Sequence, residues 1–158
     1  MDIQYLGNKK LLELPKTAFL ASSTISIEMV LKCYDWAAGL HDGCVVSGFS
    51  SKMEKDVLHF LLKSECPVIL VLARKMYKIL PEELKKPLEQ GRLLIISTTN
   101  SPRQSKQTAF ERNKYICELV DSIFFVGVTP QSSLQPLYDK FIEKTIRIVS
   151  VEKGTLSL

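Results

Sequence analysis

Arg103, Lys106, Arg112 and Lys114 fall between Ser101 and Tyr115 with Glu111 as the single acid, a local surplus of three positive charges in a chain whose net charge is +4. A second basic run, ARKMYK from Ala73, sets Arg74, Lys75 and Lys78 beside Tyr77. Cationic groups neutralise phosphates, and an interleaved aromatic ring can stack on a base. The chemistry suggested is that of single-stranded nucleic acid or a nucleotide phosphate. The stretch FERNK from Phe110 adds an amide to the cations. Read as the opening of a helix, it puts Arg112 and Lys114 where unpaired backbone N–H groups and the macrodipole favour anions. On that reading the Arg112 guanidinium grips a phosphate and the Asn113 amide fixes a turn or a base edge. The competing reading pairs Arg112 with Glu111 or Glu118 and leaves Asn113 holding a loop. The first expects Arg112→Ala to weaken anion binding while leaving the melting temperature nearly unchanged.

Other chemistries have little to draw on. Cys33, Cys44, Cys66 and Cys117 lie far apart with no C-x-x-C, and only His41 and His59 could join them, so neither a metal nor another cofactor is expected. The thiols read as small buried hydrophobes. Glu54 and Glu111 read as a solvated helix-start acid and a dipole partner, not as a catalytic pair.

The elements that must position these groups follow from periodicity. Short apolar runs recur at 17–21, 44–47, 68–72, 93–96, 123–126 and 146–149, mostly separated by amphipathic segments. This alternation predicts an α/β fold: a Rossmann-like three-layer sandwich with a mostly parallel sheet of about six strands. In the first helix Ile27, Val30, Leu31, Tyr34, Ala37 and Ala38 form the expected buried stripe; in the second, Met53, Val57, Phe60 and Leu61 do. Pro81 opens a helix that Gly91 ends, and Ser132 or Ser133 is the expected cap of another. STTNSPRQSKQTA from Ser97 reads as a long loop. In open α/β sheets ligands bind beyond the carboxyl ends of the strands. The SSTIS turn after the first run, the SGFSS turn after the second, the basic loop and the Arg112 segment are all expected on that rim.

The order of motifs resembles the Rossmann-like domain of DNA-processing protein A, also called Smf. GNKKLLELPKTAFLASSTIS resembles its G-N, short helix, L-P and first strand; VVSGFSSKMEKDVLHFLL is similar to its V-S-G-x-A-x-G-I-D helix start. VILVLARKMYKILPEEL is similar to its strand, glycine turn and Y-P, and AFERNKYICELVDSIFFVG to its F-P-x-R-N-R segment. Ser47, Gly48, Pro81, Arg112 and Asn113 match closely. Ala21, Ser22 and Ser23 stand where the family has glycine, serine and arginine. Lys52 and Glu54 replace a glycine and an aspartate, and Ala73, Arg74 and Lys75 replace a glycine-rich turn.

The resemblance implies a non-catalytic binding protein that binds single-stranded DNA during its uptake and hands it to a recombinase, with a homodimer expected by the same analogy. The alternative is a nucleotide-derived ligand sensor or a phosphoribohydrolase-like enzyme of the same superfamily, although the P-G-G-x-G-T-x-x-E signature of those enzymes does not occur. Rim and resemblance together assign ligand or phosphate contact to Ser22, Ser23, Ser47, Gly48, Arg74, Lys75, Arg112 and Asn113. The expected organisation is one domain over 1–158 with a short N-terminal lead-in over 1–15. MDIQYLGNKK has no signal-peptide pattern, and no apolar run approaches membrane-spanning length, so a cytoplasmic protein without a membrane partner is expected.

Overall fold

A computed structural model describes residues 3–23, 25–39 and 43–149, with the backbone alone for 147–149 and 156–157. His41 lies outside the described residues. The strands are β1 (Gln4–Gly7), β2 (Lys16–Ala21), β3 (Cys44–Ser47), β4 (Val68–Leu72), β5 (Leu93–Ser97), β6 (Ser122–Val126), β7 (Thr145–Val149) and β8 (Leu156–Ser157). They form one sheet in the order β1-β5-β4-β3-β2-β6-β7-β8. The six predicted strands, β2 to β7, pair in parallel. An antiparallel strand at each edge brings the sheet to eight, two more than the periodicity predicts. Neither could be read from an apolar run: β1 is exposed along its length and held by its ladder to β5, and β8 has two residues.

Alternation along the strands divides the core. Phe19 and Ala21 of β2 face α1 (Ile27–Ala38), α2 (Lys52–Lys63) and α3 (Glu82–Glu89), with Met29, Cys33, Val57, Leu61 and Leu84. Ala18 and Leu20 face α4 (Lys106–Leu119) and α5 (Gln135–Lys140), with Ile116, Cys117 and Leu137. The result is the expected three-layer arrangement. All four cysteines are buried and none is in a disulfide, and burial pushes the thiols of Cys44, Cys66 and Cys117 up to about 12, 11 and 12.

The helix stripes need correction. Ile27 and Leu31 are exposed, as is Ala38, and the buried face of α1 runs instead through Met29, Cys33 and Ala37 at i, i+4 and i+8. In α2 Phe60 lies outside the core while Leu58 joins it. Each helix must satisfy both the sheet and its neighbouring helix, which turns the buried side away from the stripe with the largest side chains.

Two helix starts also differ. Ser105, within the stretch read as loop, caps α4 through its Oγ and the N–H of Thr108, while Thr108 Oγ1 accepts from the Ser105 N–H. This capping box sets the first residue of α4 at Lys106. Arg112 is therefore mid-helix, and the cation at the helix start is Lys106. For α5 the cap is Leu134, with no side-chain bond; Ser132 Oγ accepts instead from the Leu134 N–H at 3.1 Å.

Candidate functional site

β2, β3, β4 and β5 step outward in one direction, and the chain then crosses back to lay β6 on the other side of β2. The switch point between β2 and β6 is where such sheets open a crevice at their carboxyl ends. A cavity of about 430 Å³ lies there. Ser22 and Ser23 follow β2, Ser50 and Ser51 lead into α2, Lys106, Arg112 and Asn113 come from α4, and Ser132 and Ser133 follow β6.

At the base of this crevice Arg112 is only 2% exposed. Its Nε donates to Asn113 Oδ1 at 2.8 Å, Nη1 to the Val71 carbonyl at 3.2 Å and Nη2 to Ser50 Oγ at 3.2 Å. Desolvation lowers its pKa, and the nearby Glu54 carboxylate opposes that shift. Neither Glu111 nor Glu118 accepts from it among the described residues. The guanidinium lies directly against Gly48: a Cβ there would stand 2.1 Å from Nη1 and 2.2 Å from Cζ. The glycine of the Ser47–Gly48 pair thus leaves room for Arg112. Ser47 is fully buried, and its Oγ accepts from the Phe49 N–H at 3.0 Å. Phe49 holds φ at +47°, a left-handed conformation costly for a bulky residue, and the turn it makes brings Ser50 to Arg112.

Glu54 is 4% exposed, not a solvated acid. Oε2 accepts from the Ala21 N–H at 3.0 Å, and Oε1 from the N–H groups of Ser50 at 2.9 Å and Ser51 at 3.2 Å. With Ser51 Oγ accepting from the Glu54 N–H, it forms a capping box that ties α2 to the end of β2. The carboxylate fills a nest of backbone N–H groups that would otherwise attract an anion. Glu54 keeps an acid at the position of the motif's aspartate.

Of the sequence-predicted residues, the structure brings Ser22, Ser23, Arg112 and Asn113 to one crevice. Ser47 and Gly48 support it from below. Arg74 and Lys75 do not line it: Arg74 Nε donates to the Lys75 carbonyl, its guanidinium sits 5.5 Å from the Tyr77 ring centre, and the Lys75 N–H donates to the Ser101 carbonyl. They lie at the end of β4, two strands from β2. Sequence reasoning missed Glu54 and Ser50 as parts of the crevice base, and Lys106 as the helix-start cation. The S-x-x-E spacing of Ser51 and Glu54 was the available signal for the first.

Among the described residues no group of three or more His, Cys, Asp and Glu could hold a metal ion, and no helix is long and apolar enough to cross a membrane. No protein-family model matches the chain, and no curated protein matches it. Solved structures do, two DNA processing proteins among them. The X-ray structure of DNA processing protein A from Streptococcus pneumoniae superposes with a TM-score of 0.76 at 19% identity, over 96% of this chain and 56% of that protein. The protein of the same name from Helicobacter pylori, whose structure is described as giving insight into a single-stranded DNA binding mode, superposes with a TM-score of 0.72 at 20% identity, over 94% of this chain and 70% of that one. The chain spans little more than half the length of the pneumococcal protein. Its fold is that of a Rossmann-like domain of the DNA processing protein A kind.

Proposed function

We propose that the protein binds single-stranded DNA, or a nucleotide through its phosphate, in the crevice between the ends of β2 and β6, and catalyses no reaction there. The observation that carries this reading is the convergence at the switch point of hydroxyls from three turns with Lys106 and Arg112 of α4. Among the described residues Arg112 uses three of its five N–H donors, which leaves donors for a phosphate oxygen at the crevice floor. Lys106 is exposed and supplies the net positive charge, because Glu54 offsets much of the field of Arg112. The fold shared with a protein described as binding single-stranded DNA supports the choice of ligand. The Glu54 carboxylate is engaged by three backbone N–H groups, which suits a structural acid and not a proton donor.

A labelled single-stranded oligonucleotide titrated with the full chain tests the proposal. Binding should weaken steeply with salt as counterions are released, and Lys106→Glu should reduce both affinity and salt slope. No binding at low salt to an oligonucleotide or a mononucleotide would refute it.

A further inference from the structure

Ser22 and Ser23 form one side of the polar crevice. The same two residues line a second cavity, of about 300 Å³, between α1 and α2. Its walls are Ile25, Ile27, Val30, Tyr34 and Met53, and Asp56 lies along it with Lys52. Ile27 is 77% exposed, which leaves an aliphatic side chain standing in water at the groove. The Tyr34 ring is braced by Phe60, their centres 4.7 Å apart, and its hydroxyl donates to Asp56 Oδ2 at 3.3 Å. Lys52 Nζ donates to the same oxygen at 3.3 Å. Among the described residues neither contact uses Asp56 Oδ1.

We infer that this groove holds the base of the nucleotide whose phosphate lies in the crevice, an inference that rests on the phosphate reading above. The two cavities share Ser22 and Ser23 in their walls, and together they reach the size range of small-ligand sites. Charge fixes the direction of the ligand. A phosphate is drawn toward Lys106 and Arg112 and repelled by Asp56, whereas the ring of a base suits the aliphatic walls and the Tyr34 face. Asp56 Oδ1 accepts from the exocyclic amine of adenine, cytosine or guanine, and thymine offers no such amine. The groove therefore selects amino-bearing bases over thymine.

Binding of deoxyribose 5-phosphate, dAMP and dTMP to the full chain, followed by calorimetry, tests this. The expected order is dAMP, then dTMP, then deoxyribose 5-phosphate, with dAMP bound at least about tenfold more tightly than the sugar phosphate, in line with the contribution of one stacked base. Val30→Trp, which fills the groove, should remove the advantage of the base while leaving deoxyribose 5-phosphate affinity within about twofold, the spread expected for a site with no shared contact. Should that substitution unfold the chain, Asp56→Ala, at a partly exposed carboxylate, carries the test by erasing the preference for dAMP over dTMP. Equal binding of dAMP and deoxyribose 5-phosphate, or a preference that survives both substitutions, overturns the groove and leaves the phosphate crevice standing. Failure of all three ligands to bind overturns both.

Discussion

Replacing Arg112 with alanine removes a guanidinium that is 2% exposed, together with three hydrogen bonds. Bonds to a charged donor contribute about 1.5–3 kcal/mol each before desolvation is counted. A desolvated cation, however, returns part of its cost when it is removed, as the lowered pKa of Arg112 indicates. The void over Gly48 and the unanswered Glu54 charge add to the loss, so the net destabilisation should be about 3 kcal/mol, or roughly 10 °C in melting temperature for a domain of this size. This reverses the expectation of an unchanged melting temperature that treats Arg112 as an exposed helix-start cation. Gly48 sharpens the test. Gly48→Ala puts a Cβ 2.1 Å from Nη1 and must expel the guanidinium, so it should cost a similar amount alone. In the Arg112→Ala background the same methyl enters vacated space and should cost almost nothing, giving a coupling energy of about 2 kcal/mol or more. Trp36, the single tryptophan, packs 5.3 Å from Phe19 and 4.6 Å from Phe124, so its fluorescence reports urea unfolding of all four proteins in the cycle. Strict additivity would refute the account of Gly48 as the seat of Arg112. A melting temperature unchanged by Arg112→Ala would refute the burial argument itself.

Lys106→Glu should weaken single-stranded DNA binding several-fold and lower the slope of log affinity against log salt by roughly one, while Lys85→Glu, in a surface ion pair with Glu82, should do little. Ser51→Ala breaks the capping box at α2 and should cost about 1 kcal/mol in urea denaturation, whereas Leu31→Gln, at a residue 60% exposed, should stay within about 0.5 kcal/mol of the parent. Cys44, Cys66 and Cys117 have folded pKa values raised to about 12, 11 and 12, so their thiol form contributes stability that is fully present below the unfolded value near 8.5 and is lost as pH rises toward those folded values. Unfolding free energy should therefore be insensitive to these thiols at pH 7–8 and should fall between about pH 9 and 11, with thiol alkylation of the native chain slow at pH 8.

The parallel strands were legible because each holds an apolar run, buried in β2 to β6 and clearest in Val68–Leu72. The edge strands carry no such signature, since pairing to a neighbour that already exists is what makes Gln4–Gly7 a strand. At the site, Ser22, Ser23, Arg112 and Asn113 could be placed on a common rim because βα turns share one end of a parallel sheet. The start of α4 could not be read from charge alone. The neutral box of Ser105 and Thr108 outweighed the cations that follow it. Arg74 and Lys75 matched the basic pattern as well as Arg112 did, but strand order decides which turn meets which, and β4 is separated from β2 by β3. The burial of Arg112 against Gly48 joins motifs more than sixty residues apart, as does its bond to Ser50. A one-dimensional reading weighs such residues separately.

The central pairing of β2 with β6 has a consequence for synthesis of the chain. Thr17 and Ser122, whose hydroxyls meet at 3.0 Å across that pair, are separated by 105 residues, and the Ser22 N–H reaches the Val126 carbonyl just beyond them. Contacts of such separation form late, after the loop between them has been closed at an entropic cost. β2 therefore waits with one edge unpaired until β6 has emerged. Partial chains hold a strand edge able to pair with a neighbouring copy. Ligand meets an incomplete site in them, because the crevice lacks Ser132 and Ser133 until the chain beyond β6 arrives.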